Sequence, residues 1–212
     1  MTGEHGSGLT TMIDDLRGAG LIDDAGVDRI WRHGHFAYES GDHGDAWLAL
    51  GLLFADPRRL RDAAGRLADK LRPYAPDVVC GPLVGGALVG QWVAYDLSAD
   101  FVYVEPRSAV AETCQNYRLP PELRPAVRGK RAVVVDDAIN AGAAALAAVE
   151  EVEAAGGSVV AVAALVLRTP HGLDVWGARG LPIEYLVGLG WNTWPAGECP
   201  LCRAGVPIER PT

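Results

Sequence analysis

Short runs of β-branched and apolar residues alternate with helical segments along most of this chain, and this alternation restricts its fold more than any other feature. The runs carry almost no polar residues, as is typical of strands in a sheet covered on both faces. Segments with helical spacing or glycine-containing turns separate them. The pattern predicts an α/β fold, a parallel sheet with helices on both faces. The predicted strands are "DVVCG", "FVYVE", "RAVVVDD" and "SVVAVAALVL".

Two of the intervening segments have clear helix signals. Asp56 is a suitable N-cap with Pro57 at the first helical position, and leucines and alanines then recur at helical spacing up to Leu71. Ala143 to Ala155 predicts a second helix, which a pair of glycines closes. Both helices therefore have apolar faces that can cover the predicted sheet.

The remaining segments give weaker signals. Residues 10–20 predict a short helix, residues 28–34 a second one, and residues 35–47 a hairpin or an extended loop. Residues 106–130 contain four prolines and no clear period, which predicts a long connection of the kind that is often functional. The length of 212 residues suits a single domain.

Charge and hydropathy exclude several classes of protein. The net charge of −8 disfavours nucleic-acid binding, which depends on clustered lysines and arginines. A chain with no apolar run of about eighteen residues and no apolar N-terminal segment is expected to be cytoplasmic and not bound to a membrane. The four cysteines are too few and too unevenly spaced for a disulfide framework, so we expect reduced thiols.

Two adjacent carboxylates, Asp136 and Asp137, follow the valine run of one predicted strand. Like charges in contact need water or a bound partner. The carboxyl end of a parallel strand is where ligands collect in such sheets. Behind the pair, the small residues of Asn140 to Ala144 open a helix, whose N–H groups attract an anion. A sugar phosphate suits this arrangement, because its hydroxyls can donate to the carboxylates while its phosphate binds the N–H groups of the turn.

The segment "VVVDDAINAGAA" resembles the phosphoribosyl-diphosphate (PRPP) binding motif of type I phosphoribosyltransferases, in the form closest to the orotate phosphoribosyltransferases. "GHFAYESGDHGDAWL", "GPLVGGALVG" and "ECPLCRAGVPIERP" resemble other segments of that family, in the same order. The resemblance implies a parallel-sheet core at about residues 56–178 and a small hood at about 1–50 and 180–212. It also implies Mg²⁺ as the cofactor, PRPP and a base as substrates, and a homodimer.

The resemblance also implies residue roles. Asp136 and Asp137 would hold the ribose hydroxyls, directly or through Mg²⁺, and Arg168 would pair with a carboxylate on the base, a task that suits its planar guanidinium. The 5′-phosphate would lie in the turn formed by Asn140, Ala141, Gly142, Ala143 and Ala144. The diphosphate would lie against the backbone of Leu83, Val84, Gly85 and Gly86.

This chain departs from the family pattern at three points. The motif turn has Asn140 and Ala143 where threonines are usual, and Glu39 stands in a segment where many relatives avoid a negative charge. The connection at 106–130 has arginines but no lysine before Lys130, whereas the orotate enzymes neutralise the departing diphosphate with a loop lysine. A single such donor is worth about 3–4 kcal/mol. Arg107, Arg118 or the partner subunit would replace it, and we take Arg107 as the third catalytic residue.

Alternatives remain open at this stage. The chain is either a phosphoribosyltransferase acting on orotate, a paralogue acting on another base, or a non-catalytic regulator that binds PRPP or a nucleotide. Cys199 and Cys202 form half of a zinc-site spacing, and completing it would need Cys114, a histidine or a second copy of the chain. The five histidines show no metal spacing, so a buried turn with reduced thiols is the expected outcome.

Overall fold

The computed structural model describes residues 13–22, 30–38, 41–107, 117–140, 142–168 and 171–210. Residues 13–18 are helical, as predicted. The elements that follow are, in order, β1 (Trp31–Ala37), β2 (Asp42–Leu48), α1 (Gly51–Phe54), α2 (Pro57–Leu71), β3 (Val78–Pro82), α3 (Gly85–Leu97), β4 (Asp100–Pro106), β5 (Tyr117–Arg118), α4 (Arg124–Val127), β6 (Arg131–Ile139), α5 (Ala143–Ala154), β7 (Ser158–Arg168), α6 (His171–Ala178), β8 (Ile183–Leu189), β9 (Thr193–Pro195) and α7 (Pro200–Arg203).

Six of these strands form the main sheet, in the order β5-β4-β3-β6-β7-β8. All neighbours in it are parallel except β5, which pairs with β4 in the antiparallel sense. Because the side chains of a strand alternate between its faces, Val79 packs against α2 and α3 while Val78 and Cys80 pack towards α5. The predicted parallel sheet with helices on both faces is confirmed.

Helix α2 shows why its sequence folds as it does. The Asp56 side chain accepts hydrogen bonds from the N–H groups of Arg58 and Arg59, and Pro57 occupies the first helical position. Leu67 and five other apolar side chains at helical spacing are buried against the main sheet. Removing one such leucine typically costs about 2–5 kcal/mol. This helix therefore anchors one face of the core.

A second, smaller sheet of order β1-β2-β9, called the small sheet below, is antiparallel throughout. Strands β1 and β2 form the hairpin that residues 35–47 predicted. The last described residues lie along β1, because Glu209 exchanges backbone hydrogen bonds with His35 and Ala37. The small sheet is thus built from the two ends of the chain.

Three sequence-based expectations need correction. The helix predicted at residues 28–34 does not continue past Ile30, because β1 begins at Trp31 and pairs with β2. The connection at 106–130 is not irregular from residue 117 onwards: it contains β5 and α4, and it buries Leu119 and Val127. Strand β6 runs two residues past Asp137, because it keeps pairing with β7 as far as Ile139.

Within the described ranges, no helix combines the length and apolar character that crossing a bilayer requires.

Candidate functional site

The candidate site lies where the strand order of the main sheet reverses. From β3 the chain moves to β4 on one side, and it then returns to β6 on the other side of β3. The loops that leave the carboxyl ends of β3 and β6 therefore diverge, and a crevice between them is the common ligand site in such sheets. Asp136 and Asp137 lie near the end of β6, and Leu83 to Gly86 follow β3 directly.

The two aspartates form a carboxylate pair with little access to water. Asp136 is 7% exposed and Asp137 is partly buried. The Asp137 N–H donates to Asp136 Oδ1 (2.9 Å), and the Ala138 N–H donates to Asp137 Oδ1 (2.8 Å). Burial, with repulsion from Asp137, raises the pKa of Asp136 well above its ordinary value, and burial also raises the pKa of Asp137. Such a pair favours a ligand that supplies protons or positive charge.

Two glycines allow the first turn of α3 to approach these carboxylates. A Cβ on Gly85 would lie 2.2 Å from Asp137 Oδ2, and a Cβ on Gly86 would lie 2.8 Å from Asp136 Oδ1. Both distances are shorter than real Cβ contacts, so any other residue would displace the carboxylates or the backbone. The structure thus brings together the two segments that the sequence singled out separately. The peptide bond between Leu83 and Val84 is cis.

The turn between β6 and α5 ends in a glycine with a left-handed backbone. Gly142 has φ 79°, and α5 begins at Ala143. A Cβ on Gly142 would lie 3.1 Å from the buried ring of Trp176. The N-terminal turn of α5, which includes Ala143 and Ala144, follows the aspartates by a few residues and has N–H groups that can bind an anion. Ala141 lies outside the described residues.

Arg168 lies at the end of β7, in contact with groups from both sheets. Its Nη1 donates to Asn140 Oδ1 (2.7 Å), and its Nη2 donates to the Thr193 hydroxyl. The guanidinium carbon lies 5.5 Å from the centre of the Trp191 ring. These contacts hold the guanidinium plane in place, and burial lowers the pKa of Arg168. The Asn140 side chain therefore accepts from Arg168.

Two adjoining cavities surround these groups. A cleft of ≈ 730 Å³ is lined by Asp137 together with Arg32 and Arg210. A smaller, mainly apolar pocket of ≈ 190 Å³ contains Arg168 and Asn140. The cavities share Trp47, Leu48 and Ala138 as lining residues. A ligand that bridges them would meet a carboxylate in one and a guanidinium in the other.

The small pocket is closed by aromatic side chains of the small sheet and of the loop before β9. Tyr38 stacks on Trp47 with ring centres 6.2 Å apart, and its hydroxyl donates to the Ala46 carbonyl. Burial raises the pKa of Tyr38 to about 12, so the hydroxyl keeps its proton at neutral pH. With Trp191 these rings form walls that suit a flat ligand.

Arg107, the third predicted catalytic residue, is not brought to the aspartates. Its guanidinium donates to Glu151 Oε1 (2.7 Å) on α5 and to the Tyr117 carbonyl (2.9 Å). Glu151 lies eight residues past the start of α5, about 12 Å along the helix. Arg118 pairs with Glu105. Glu39 and Cys114 lie outside the described residues.

Sequence patterns do not single out Arg32, Arg210, Trp191 or Thr193. Arg32 lies on β1 and Arg210 near the end of the chain, so no local spacing connects either one with Asp137. The aromatic "GWNTW" segment was the available signal for Trp191 and Thr193, but aromatic residues in a tail more often indicate packing.

Comparison with known proteins gives consistent results. Residues 53–200 match the family model for a phosphoribosyl transferase domain. The chain is 30% identical over 178 residues to orotate phosphoribosyltransferase of Caldanaerobacter subterraneus subsp. tengcongensis, covering 84% of this chain and 88% of that one. It is 30% identical over 202 residues to orotate phosphoribosyltransferase of Caulobacter vibrioides (strain NA1000 / CB15N), covering 94% of each.

A solved structure supports the fold. The crystal structure of orotate phosphoribosyltransferase from Aeropyrum pernix has a TM-score of 0.62 and 22% identity, and the match covers 84% of this chain and 93% of that one. The family resemblance that rested on the aspartate motif is thereby confirmed by sequence relatives and by fold.

Proposed function

Because this chain belongs to the phosphoribosyltransferase family of pentosyltransferase enzymes, we propose that it transfers the ribose 5-phosphate of PRPP to orotate in a Mg²⁺-dependent reaction. The observation that carries the proposal is the pair of adjoining cavities, with Asp137 in one and Arg168 in the other. A ribose on the carboxylates would thereby have its C1′ directed towards a base held by the guanidinium.

PRPP would bind along the carboxyl edge of the main sheet. The ribose hydroxyls would donate to Asp136 and Asp137, and burial, which raises the pKa of both carboxyls, favours a ligand that donates to them. The 5′-phosphate would accept from the turn of Asn140 to Ala144 at the start of α5, and the diphosphate would accept from the backbone of Leu83 to Gly86. Gly85 and Gly86 leave the space that this approach needs.

The base would occupy the small pocket. Orotate is a flat pyrimidine that carries a carboxylate. Arg168 donates to Asn140 and Thr193, and its remaining N–H groups can donate to that carboxylate. The apolar and aromatic walls contributed by Tyr38 and Trp191 would contact the ring faces.

The carboxylate pair also fits Mg²⁺, a hard cation that prefers oxygen ligands. Among the described residues neither Asp136 nor Asp137 forms an ion pair, although both are buried enough for their pKa values to rise. The ion would be held by these two residues together with substrate oxygens. When bound, it supplies positive charge that neutralises the departing diphosphate.

In the reaction the bond between C1′ and the diphosphate oxygen breaks, and a bond between C1′ and a ring nitrogen forms with inversion, while the proton of that nitrogen leaves to the diphosphate or to water. Positive charge develops on the ribose near Asp136 and Asp137, while negative charge grows on the diphosphate. Arg210 and Arg32 line the same cleft as Asp137 and would attract that charge. Arg32 would do so from its ion pair with Glu209, whereas Arg107 is held by Glu151 on α5. The residues position and neutralise the reacting groups and form no covalent intermediate.

The homodimer implied by the resemblance is part of the proposal. Val84, Leu88 and Tyr95 lie along one side of α3 and are 69%, 37% and 67% exposed. Their spacing forms an apolar stripe that a second copy would cover. Light scattering of the purified chain measures the mass directly.

The function is tested by incubating the chain with PRPP, Mg²⁺ and a panel of bases while diphosphate release is followed. Turnover with orotate supports the proposal, and turnover only with another base overturns the assignment of orotate as the substrate. Thermal stabilisation by PRPP without turnover on any base would instead indicate a non-catalytic regulator. Asp137→Asn should abolish the PRPP-induced stabilisation, whereas Asp62→Asn, a matched change at an exposed position on α2, should leave it intact.

A further inference from the structure

Four side chains with metal-binding atoms converge at the edge of the small sheet, away from the aspartate pair. His35 lies on β1, His43 on β2, and Cys199 and Cys202 flank the start of α7. Their ligand atoms all lie within 4.8 Å of one another. We propose that these four residues bind one Zn²⁺ ion in a structural site.

The convergence corrects an expectation drawn from the sequence. There Cys199 and Cys202 stood as half of a zinc site, and the histidines showed no metal spacing. Pairing of β1 with β2 places His35 beside His43, and α7 then brings both sulfurs to them. The cysteines lie more than 150 residues from the histidines in sequence, so only the fold completes the set.

Four of the six distances between ligand atoms can be compared with those of a tetrahedral zinc site. His35 Nε2 lies 3.0 Å from His43 Nδ1, 3.4 Å from Cys199 Sγ and 3.7 Å from Cys202 Sγ. Cys202 Sγ lies 3.2 Å from His43 Nδ1. Zinc bonds of about 2.0–2.1 Å to nitrogen and about 2.3 Å to sulfur would separate ligands by about 3.3 Å (N to N) and about 3.6 Å (N to S). The observed contacts scatter around these values.

Hydrogen bonding explains the direction of the His35 ring. Its Nδ1 lies 2.8 Å from the Val206 carbonyl, which can only accept, so Nδ1 carries the proton and Nε2 presents a lone pair to the cluster. Histidine ligands of zinc are commonly oriented in this way. One lone pair accepts one hydrogen bond, yet three polar atoms surround Nε2. A cation at the centre would satisfy all four atoms together, which protein hydrogen bonds do not.

Burial and ligand type identify the kind of site. His35 and Cys199 are each 1% exposed and His43 is 8% exposed, while Cys202 faces the surface. Two thiolates and two imidazoles in a closed set of four are typical of structural Zn²⁺. A two-iron cluster would hold the histidines and the cysteines on separate irons, which the 3.2 Å contact between Cys202 and His43 does not allow.

The site would fasten the end of the chain to the small sheet. Past Cys202, the tail supplies the Val206 carbonyl to His35, and Glu209 forms backbone hydrogen bonds with His35 and Ala37 and an ion pair with Arg32. Zinc at the four ligands would hold this tail where these contacts form. Arg210, which lines the cleft of Asp137, follows directly in sequence.

The test is the metal content of the full-length chain, purified without a metal-binding tag and kept reduced. We expect about one Zn²⁺ per chain by elemental analysis, and Co²⁺ substitution should give the absorption of a tetrahedral thiolate site. Removing the metal with a chelator should lower Tm by at least about 5 °C, since structural zinc contributes directly to folding.

Variants assign the ligands. Cys202→Ser should lower the zinc content at least fivefold after dialysis against a weak chelator, and because this side chain is exposed the exchange leaves no internal cavity. Matched controls are Cys80→Ala, a buried thiol on β3, and His33→Asn, an exposed histidine on β1, both of which should retain zinc. A reduced chain that neither contains nor takes up zinc overturns the proposal. Equal zinc in Cys202→Ser, or a Cys199–Cys202 disulfide that persists when zinc is offered with reductant, does so as well.

Discussion

At the scale of single residues, the site depends on side chains whose orientation is set by uncharged neighbours. Arg168 is held by Asn140 and Thr193 on its edges and by Trp191 on its face. None of these three neighbours carries a charge, although Asp42 and Asp45 act electrostatically on the guanidinium. The glycines at 85 and 86 act differently, because they contribute only the absence of a side chain beside the carboxylates. In the proposed reaction, both kinds of residue would shape the site without taking part in bond breaking.

We expect Arg168→Lys to weaken binding of the base selectively. Lysine keeps the charge but loses the paired N–H geometry and the contact with Trp191, so the loss should be about 1.5–3 kcal/mol, a rise of tenfold or more in KM for orotate. KM for PRPP should change less than about threefold. Steady-state kinetics with each substrate varied in turn measures both values. Equal increases in the two constants would show that Arg168 supports the whole site and not the base pocket alone.

At the scale of elements, α5 has two separate tasks. Its N-terminal turn faces the proposed phosphate position, and further along it Glu151 holds the segment that enters α4. Glu151 accepts from the Leu119 N–H (2.9 Å), from Arg107 and from Arg124 (3.2 Å). The two arginines are 49% and 40% exposed, so their ion pairs contribute about 0–1 kcal/mol each. The bond to the backbone N–H of the buried Leu119 matters more.

Glu151→Ala should therefore lower the free energy of unfolding by about 1–3 kcal/mol, because it leaves the Leu119 N–H without its acceptor. Glu151→Gln keeps an oxygen for that N–H and should cost less than half as much. Urea denaturation of both variants measures the difference. Glu153→Ala, an exposed change two residues along the same helix, is the control and should stay within about 0.5 kcal/mol of the parent. A loss in Glu151→Ala no larger than in the control would contradict this account.

At the scale of the whole molecule, the aspartate pair opposes folding while it serves the site. A carboxyl group whose pKa is higher in the folded chain than in the unfolded one contributes most at pH values below the unfolded pKa. That contribution is lost as the pH rises through the folded pKa. Asp136 and Asp137 are carboxyl groups of this kind, because burial raises the pKa of both. At neutral pH the two buried carboxylates thus lower the free energy of unfolding of the ligand-free chain, and a bound cation would reduce this penalty.

Asp136→Asn should consequently stabilise the ligand-free chain at neutral pH, by about 1 kcal/mol or about 2–4 °C in Tm. The asparagine oxygen still accepts from the Asp137 N–H, so the local geometry is kept. The gain should disappear below about pH 4, where an ordinary carboxyl group is also protonated. Thermal melts across pH measure this trend, with Asp62→Asn as a control that shows no such gain. A destabilised Asp136→Asn at neutral pH would contradict the argument.

The sequence determined the layered α/β core and the aspartate motif, because both depend on residues close together in the chain. Strand runs, helix spacing and capping act over a few residues, and Asp136, Asp137 and the turn to α5 are contiguous. Even the antiparallel hairpin of residues 35–47 followed from a local pattern. The secondary structure at 28–34 and 117–130 was harder to predict, since pairing of β1 with β2 and of β5 with β4 overrode weak local signals.

Only the tertiary structure decided which distant residues meet. Nothing in local spacing connects Arg168 with Thr193, Arg107 with Glu151, or His35 with Cys199 across 164 residues. Such contacts depend on the strand order and on the return of the tail along β1, which sum many weak packing terms over the whole chain. The aspartates could be found by reading along the sequence, whereas the small pocket, the cleft arginines and the four-ligand cluster exist only once the two ends of the chain are brought together.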